Sequence, residues 1–502
     1  MSGWGAGYVT DVAYMPGYYR QQSPLHLHLA CLLGSVAGLD ARPDAPLTYM
    51  ELGSGLGFGA LALAASNPAW RVVGIDFAPA HVAAARALAS AAGITNATFL
   101  EADLATLAAS PLGSALPEAD VVSLHGVWSW VPPAAREGIV ALLRAKLRPG
   151  GVAHVSYNVL PAWQSALGLQ RLLREAGRSV VARSDRQARA GLAAVRALAE
   201  AEAAHLTPAF ARAMLARLEQ VPDSYLAHEY MNECWSASFH ADVARALAGA
   251  KLDYVASAQL LENFPDLALT EAQRAVMGRF EEPLVRELVK DMCLERALRH
   301  DVFVRGARRL DRAARDAALG EVTLALTRAP DAFVYEADVP AGQAALAPDF
   351  YGPIVAELAR GPRRVRDLLE LPAVAGSRDN PAELIGLLVG TEQAIPVAGP
   401  PSRGEAAGRF NAAALRTLAR PADLGASFAM ATGGVGSPMP ATVLDAYLCA
   451  ALNASEPFGA RRLATALAQD KPQDEAERLG QFIERRIGER APAWHALGLI
   501  PG

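Results

Sequence analysis

Lysine and cysteine are the residues that this chain of 502 residues has least of. Four lysines stand among 47 basic residues, so arginine carries nearly all of the positive charge. The cysteines also number four, they lie far apart, and no two of them form a C-x-x-C pair. This spacing argues against a disulfide framework and against a cysteine zinc site.

Long apolar runs and a basic N-terminal region are missing as well. The nearest apolar stretch, at 25–39, is too short to span a bilayer and contains two histidines. The net charge of −5 is small for this length and gives no electrostatic reason to expect a nucleic-acid partner or an anionic membrane. We therefore expect a cytoplasmic protein that neither inserts into membranes nor binds nucleic acid.

The chain is organised around the stretch 48–76. An apolar run at 47–52 ends at a turn with glycines at 53, 55, 57 and 59, and a second apolar run closes on Asp76. This pattern predicts a strand, a glycine loop, a helix and a second strand. Glycine is needed where a cofactor must lie against bare backbone, because a Cβ atom would hold it away.

Strands and helices alternate from residue 46 to residue 157. The predicted strands are 48–52, 71–76, 97–101, 120–124 and 152–157, and the predicted helices are 57–66, 79–92, 104–110 and 133–147. This alternation predicts an α/β fold with a parallel, doubly wound sheet, in which ligands bind beyond the carboxyl ends of the strands. Those ends carry Glu51, Asp76, Glu101 with Asp103, and His125.

The glycine loop alone does not separate a nicotinamide dinucleotide from other nucleoside cofactors. The G-x-G-x-x-G register fails when it starts at Gly53, because Phe58 takes the last place, and from Gly55 it survives only in the variant ending in Ala60. Three further features decide. Glu51 precedes the loop and can face a cationic amino-acid tail, Asp103 can accept a hydrogen bond from an adenine amine, and LRPGG at 147–151 predicts a turn into the fifth strand.

Together these features resemble the class I S-adenosylmethionine-dependent methyltransferases. The resemblance implies a Rossmann-like sheet, a ribose contact from Asp76 and an adenine contact near Asp103. The cofactor residues that it implies are Glu51, Gly53, Gly55, Gly57, Asp76, Phe77, Asp103, Leu104 and His125.

Three longer segments narrow the resemblance. HGVWSWVP at 125–132, YNVLPAW at 157–163 and LAHEYMN at 226–232 are similar to segments of bacterial methyltransferases that carry a methyltransferase regulatory domain. That group includes protein-lysine methyltransferases that act on outer-membrane proteins. One departure is Ala162, which stands where a glycine is expected.

The sequence as a whole predicts four regions. They are an N-terminal arm and helix at 1–46, a cofactor-binding core at 47–163, a helical lobe and regulatory segment at 164–310, and a C-terminal domain at 311–502. In the arm, Ser23 is expected to cap a helix that runs to Gly38. The tyrosine-rich part is expected to pack on the core, to form a lid over the cofactor or a wall of the substrate pocket, or to do both. Segments 252–261 and 301–304 are expected to supply the sixth and seventh strands.

The sequence of the C-terminal domain predicts a mostly helical unit that resembles a winged helix. Its helices are expected near 350–360, 363–371 and 381–390, with a strand at 394–398. We do not expect it to bind DNA, because its third helix, PAELIGLLVGTEQ, carries two glutamates and no cation. Protein interaction or homodimer formation is the alternative.

Several side chains are candidates for the chemistry. His125 is either a base or a contact to the cofactor, and Tyr157 and Asn158 can orient a substrate amine. His228 and Glu229 form either an acid–base pair or hydrogen bonds at a helix N-terminus or between lobes. The candidate pocket aromatics, each of which could instead serve core packing, are Tyr18, Trp128, Trp130, Trp163 and Tyr230. No paired metal-ligand motif occurs, so no metal is predicted.

The leading hypothesis is a methyltransferase that acts on a protein side-chain nitrogen, with lysine as the acceptor. A small-molecule N- or O-methyltransferase is the second hypothesis. The third is a non-catalytic scaffold that binds S-adenosylmethionine.

Overall fold

The computed structural model describes residues 7–501 except 13, 41, 43, 377–379, 455–458 and 468–472. After the arm, a 3-10 turn at Arg20–Gln22 leads into helix α1 (Pro24–Leu33). This helix ends before the predicted Gly38, and the side chain of Ser23 does not cap it. The Ser23 hydroxyl lies 2.9 Å from that of Ser437 instead, so it ties the start of α1 to the C-terminal part of the chain.

Seven strands form one sheet in the order β3-β2-β1-β4-β5-β7-β6, and β7 is antiparallel to both of its neighbours. They are β1 (Thr48–Leu52), β2 (Arg71–Asp76), β3 (Ala97–Glu101), β4 (Ala119–Leu124), β5 (Leu147–Asn158), β6 (Leu252–Ser257) and β7 (Leu298–Arg305). The α/β doubly wound prediction is confirmed. The strand order reverses between β1 and β4, and ligands of such sheets bind at this switch point.

Two details of the core differ from the sequence prediction. The LRPGG segment belongs to β5 itself, because Leu147 already pairs with Ala119 of β4. The predicted helix at 104–110 is a 3-10 turn at Leu107–Ala109, and a short helix starts only at Pro111, where the Ser110 hydroxyl caps it. The core helices are α2 (Phe58–Ser66), α3 (Pro79–Ala92), α4 (Pro111–Ala115) and α5 (Pro133–Lys146).

A helical lobe follows β5. Its helices are α6 (Leu167–Arg178), α7 (Ser184–Glu200), α8 (Ala209–Leu218) and α9 (Asp223–Tyr230). They enclose a small hydrophobic core of their own, which also takes in Val9 and Val12 of the arm. The arm is therefore attached to the lobe on one side of the cleft described below.

The chain returns from the lobe to complete the sheet, as the sequence predicted. Helix α10 (His240–Ala248) leads into β6, and α11 (Pro265–Ala268), α12 (Glu271–Met277) and α13 (Pro283–Cys293) connect β6 to β7. Strand β6 ends at Ser257 and not at 261. Its end is closed by Asn263, whose side chain bonds to both the backbone N–H and the carbonyl of Ser257 at 2.8 Å.

The described residues of the C-terminal region form three short sheets and the remaining helices. Its strands are β8 (Thr323–Leu326), β9 (Glu336–Val339), β10 (Gly342–Ala345), β11 (Arg363–Arg364), β12 (Ala394–Val397), β13 (Ser427–Met430) and β14 (Met439–Thr442). Its helices are α14 (Arg312–Gly320), α15 (Pro348–Leu358), α16 (Val365–Leu369), α17 (Pro381–Gly390), α18 (Glu405–Leu418), α19 (Val443–Leu452), α20 (Ala460–Leu467) and α21 (Gln473–Ala496).

Helices α15–α17 and the three-stranded sheet β11-β8-β12 occupy the segment for which a winged helix was predicted, and that resemblance stays a prediction. Helix α17, the third helix of that segment, is buried along most of its length. A Cβ atom on Gly386 would lie 2.3 Å from Phe264, and one on Gly390 would lie 2.8 Å from Leu261. This close approach fits α17 against the segment that follows β6, so the helix has a packing role.

One hydrophobic core runs from the seven-stranded sheet into the C-terminal region. The ring of Phe58 in α2 lies 4.8 Å from that of Phe428 and 5.8 Å from that of Phe410 in α18. Tyr49, Val121 and many C-terminal side chains belong to the same buried cluster. The domain boundary predicted near residue 311 stays a prediction, and so does homodimer formation.

Among the residues that the structure describes, no helix has the length and apolar character that crossing a membrane would require.

Candidate functional site

The loop after β1 is shaped by three glycines in the left-handed region. Gly53, Gly55 and Gly57 have φ angles of 73°, 51° and 70°. A Cβ on Gly53 would lie 2.4 Å from Val127, and one on Gly57 would lie 2.6 Å from Phe99, so both positions are also limited by close packing. Gly55 is different, because its nearest neighbour is Tyr14 of the arm at 3.5 Å, across the cleft.

Asp76, at the end of β2, holds this loop in place. Its carboxylate accepts hydrogen bonds from the backbone N–H of Gly55 at 2.8 Å and of Ala78 at 2.9 Å, and His81 Nδ1 lies 3.2 Å away. The side chain is buried, yet its oxygens have lone pairs left for further donors. Asp76 therefore lies where a hydroxyl-bearing ligand on the loop would meet it.

Glu51, at the end of β1, lies beneath the same cleft. Gln22 donates from Nε2 to Glu51 Oε1 at 3.0 Å and to Ser123 Oγ at 3.1 Å. Burial raises the pKa of Glu51 to about 7, the Gln22 amide lowers it, and the charge of Asp76 raises it further. A cationic ligand group beside Glu51 would offset the free-energy cost of ionising this buried carboxyl group.

The arm forms the other wall of the cleft. The lining of the cleft includes Tyr14, Met15, Gly17, Tyr19 and Gln22 from the arm and Glu51, Gly53, Ser54, Gly55 and His125 from the core. The Tyr19 ring stacks on that of His125, with centroids 3.6 Å apart. The Tyr14 ring lies 4.9 Å from His228 in α9, and the Tyr8 ring lies 5.5 Å from Phe77. The arm thus packs on the core and covers the cleft at once.

Glu229 of α9 lies among tyrosines at this edge of the sheet. Burial raises the pKa of Glu229 to about 7, and the Asn158 amide and the charge of Arg217 oppose the rise. The hydroxyl groups of Tyr8, Tyr14, Tyr19 and Tyr225 have raised pKa values, chiefly through burial, and the charge of Glu229 adds to each. The backbone carbonyl of Glu229 accepts a hydrogen bond from Trp130 Nε1 at 3.3 Å.

Comparison with known proteins adds to this geometry. Residues 50–151 match a methyltransferase domain, and residues 222–305 match a family described as a predicted methyltransferase regulatory domain. A protein of Synechocystis sp. described as uncharacterized is 32% identical over 370 residues, which are 73% of this chain and 71% of that one. The chain belongs to the class I S-adenosylmethionine-dependent methyltransferases with a methyltransferase regulatory domain.

Two further comparisons bear on the methyltransferase. PKMT2 from Rickettsia typhi in complex with AdoHcy has the same fold, with a TM-score of 0.69 and 14% sequence identity, over 97% of this chain and 100% of that one. Carboxy-S-adenosyl-L-methionine synthase of Dichelobacter nodosus is 27% identical over 150 residues, 30% of this chain and 60% of that protein. S-Adenosylmethionine is the cofactor of this enzyme.

The residues of the cleft fit that cofactor. The left-handed glycines leave bare backbone at the loop, Asp76 has acceptor capacity for ribose hydroxyls, and Glu51 offers a carboxylate to a cationic amino group. We propose Glu51, Gly53, Gly55 and Asp76 as the cofactor-holding set. Gly57 lies under the loop and fits α2 against Phe99 and Ala85, so its contribution is to the shape of the loop.

Three other predicted cofactor residues are not among the described side chains that line the cleft. Phe77 follows β2 and contacts the arm through Tyr8. Asp103 is exposed beyond the end of β3, where its carboxylate also accepts from the N–H of Ala105 at 2.9 Å, and Leu104 beside it is buried. These positions agree with an adenine contact, which stays a prediction.

Several predicted catalytic and pocket side chains point elsewhere. The Tyr157 hydroxyl bonds to Asp301 and lies 3.3 Å from His240, in the core on the opposite face of the sheet from Glu51. Its sequence position at the end of a strand was right for a site residue, but strand alternation turns its side chain away. His228 Nε2 lies 3.0 Å from the carbonyl of Val12, so it anchors the arm.

The predicted pocket aromatics divide in the same way. Trp130 is partly exposed at the rim, beside Glu229. Trp163 and Tyr230 fill the core of the lobe, Trp128 packs under Arg136, and Tyr18 turns its hydroxyl to Ser437 in the C-terminal region. Their large apolar surfaces are used for packing, so the structure does not support a pocket role for these four.

Sequence reasoning missed several polar groups of the site. Gln22, Ser123 and His154 form a hydrogen-bonded series from Glu51, and His300 lies beyond His154. One signal was present, since His154 and Ser156 alternate with apolar residues in a strand that is otherwise buried. Polar side chains at every second position of a buried strand line one face together.

Proposed function

We propose that the methyltransferase transfers methyl groups to the side-chain amine of lysine in a protein. The observation that carries this proposal is the carboxylate of the half-buried Glu229, which lies among the tyrosines of the arm and beside Asn158 at the end of β5. The similarity of the segments 125–132, 157–163 and 226–232 to methyltransferases acting on outer-membrane proteins supports it.

A lysine ammonium group fits both the charge and the aromatic side chains at this position. Its charge would offset the cost of burying Glu229, and the faces of Tyr14 and Tyr19 would surround it with aromatic surface that attracts cations. Asn158 carries a carbonyl oxygen that can accept a hydrogen bond from the same amine.

The chemistry requires that the amine lose a proton before its nitrogen attacks. When bound, S-adenosylmethionine supplies an electrophilic methyl group carried on a sulfonium. The nitrogen lone pair forms the N–C bond as the S–C bond breaks, and the sulfur keeps that electron pair. Glu229, with a pKa of about 7, can hold the ammonium form and take its proton near neutral pH.

Glu229 suits this proton transfer better than His125 does. Burial lowers the pKa of His125 well below its usual value, and the charge of His300 lowers it further, so at pH 7 the imidazole is neutral and only weakly basic. His125 instead lines the cleft under Tyr19. The tyrosines and Trp130 exclude water from the same space.

Methyl transfer from labelled cofactor into an outer-membrane protein fraction tests the proposal. The matched control is the same fraction with its lysines acetylated beforehand. We expect labelled methyl-lysine after acid hydrolysis of the untreated fraction and none from the control. Label that appears only in small molecules would favour the second hypothesis, and cofactor binding with no transfer to either fraction would favour a scaffold; both outcomes contradict the proposal.

A further inference from the structure

Three histidines from three neighbouring strands meet beside the cofactor cleft. His125 follows β4, His154 lies in β5 and His300 lies in β7, and these strands are adjacent in the sheet. The nitrogen atoms that they can offer to a metal all lie within 4.8 Å of one another. His154 Nε2 and His300 Nδ1 are 3.2 Å apart, although 146 residues separate them in the sequence.

Two of the three ring spacings are those of imidazoles around a single ion, and the His125–His154 pair is wider. The ring centroids are 5.4, 5.4 and 6.3 Å apart, and the ring planes lie within 22° of one another. With zinc–nitrogen bonds of about 2.0–2.1 Å, three coordinating imidazoles have nitrogens about 3.3 Å apart and centroids roughly 5–5.5 Å apart. We propose that His125, His154 and His300 bind a divalent transition-metal ion, with zinc as the ion that the donors favour.

Serine hydroxyls orient two of these rings. The Nδ1 atom of His154 lies 3.0 Å from Ser123 Oγ, and the Nδ1 atom of His125 lies 3.2 Å from Ser156 Oγ. These contacts leave Nε2 of both rings for coordination. Metal-binding histidines characteristically have their second nitrogen held by such a hydrogen bond, which fixes the tautomer and the ring direction.

The surroundings of the three imidazoles are largely closed to water, because His154 and His300 are buried and His125 is half-buried. Neutral nitrogen donors favour zinc and its neighbours over magnesium or calcium. Three protein ligands leave a fourth position for water or another ligand.

The same contacts also permit a structure without metal, in which His154 and His300 share a proton between Nε2 and Nδ1. Only the first alternative binds a metal ion, so the experiment uses Zn²⁺ alone as the probe. Untagged, full-length protein is treated with a chelator and then dialysed against Zn²⁺, and bound metal is counted by mass spectrometry. We expect one tightly held ion per chain, and X-ray absorption of this sample should show nitrogen donors at about 2.0–2.1 Å.

Two variants and a control assign the site. His154→Asn and His300→Asn keep hydrogen-bonding groups in place and should each weaken Zn²⁺ binding at least a hundredfold. His28→Gln, in α1 and outside the cluster, should bind Zn²⁺ as the natural chain does. Absence of stoichiometric Zn²⁺ in the natural chain would overturn the proposal whether or not the variants fold. Equal binding by the folded His154→Asn chain would overturn it as well.

Discussion

The ring of Tyr19 lies 3.6 Å from the ring of His125, and the two planes are inclined by 30°. This contact joins the N-terminal arm to the end of β4 directly over the cofactor cleft. Aromatic pairs of this kind are worth about 0.5–1.5 kcal/mol beyond the area that they bury. The arm therefore closes the cleft through contacts that a single substitution can weaken.

Replacing Tyr19 with alanine should loosen this closure. We expect Tyr19→Ala to weaken binding of S-adenosylhomocysteine by up to about tenfold, because one aromatic contact is lost. Tyr19→Phe retains the ring and should bind within about twofold of the natural chain. Calorimetry measures both, and equal affinities for all three chains would show that the arm does not act as a cover.

Asp76 provides a sharper test of the cofactor site. Asp76→Ala removes a carboxylate that holds Gly55 and Ala78 and that we place on the ribose. Cofactor affinity should fall by about 10- to 150-fold, since hydrogen bonds to charged groups contribute about 1.5–3 kcal/mol. Asp120→Asn is the matched control, because Asp120 accepts from Thr48 at the far end of β1. The control should lower the melting temperature and leave cofactor affinity unchanged. If Asp120→Asn lost affinity and Asp76→Ala did not, the cofactor site would not be at Asp76.

Cofactor binding should release a proton through Glu51. The pKa of Glu51 is raised to about 7, so at pH 7 a substantial fraction of this carboxyl group is protonated before binding. A cationic amino group beside it favours the charged form and lowers that pKa. Calorimetry in buffers of different ionisation enthalpy should show proton release near pH 7 in the natural chain and little in Glu51→Gln.

A buried ion cluster holds β7, which brings His300 to the site. Arg299 has no exposed side-chain surface and pairs with Asp291 and Asp301 at 2.8 Å and with Glu287 at 2.6 Å. Arg299→Met would remove the cation that the three carboxylates share and leave them only Lys290, Arg296 and His240, which costs about 3–5 kcal/mol. Denaturant unfolding at pH 7 measures this loss, and a cost below about 1 kcal/mol would contradict it.

The same cluster predicts how stability depends on pH. Burial opposes ionisation of Asp301, but Arg299 and His240 hold its pKa below the usual range. A depressed pKa contributes stability above the pKa of the unfolded chain, and that contribution is lost as pH falls through the lower folded value. Unfolding free energy should therefore fall between about pH 5 and pH 2, and less steeply in Arg299→Met.

The sequence predicted the parts of this molecule that depend on local pattern. The five parallel strands, the glycine loop, the positions of Glu51 and Asp76 and the two returning strands were all readable, because periodicity and turn chemistry specify them. The direction of individual side chains was harder to predict. Tyr157 and Asn158 are neighbours at the end of β5, yet one joins the core beside Asp301 and the other faces Glu229.

Contacts between segments that are distant in the chain could not be predicted from the sequence. The three histidines come from strands far apart in the chain, and only the sheet order makes β4, β5 and β7 neighbours. Likewise, nothing in the pattern shows that α17 packs on Phe264 or that Tyr18 reaches Ser437. Pairing of this kind depends on tertiary packing, which local propensity does not encode.

The pH dependence of methyl transfer in Glu229→Gln tests the central claim most directly. In the natural chain, kcat/KM for a lysine-containing acceptor should fall below about pH 7, because protonated Glu229 can neither hold the ammonium group nor take its proton. Glu229→Gln should retain its affinity for S-adenosylhomocysteine, transfer at least a hundredfold more slowly and lack this acid limb. An unchanged rate with the same pH profile would contradict the account.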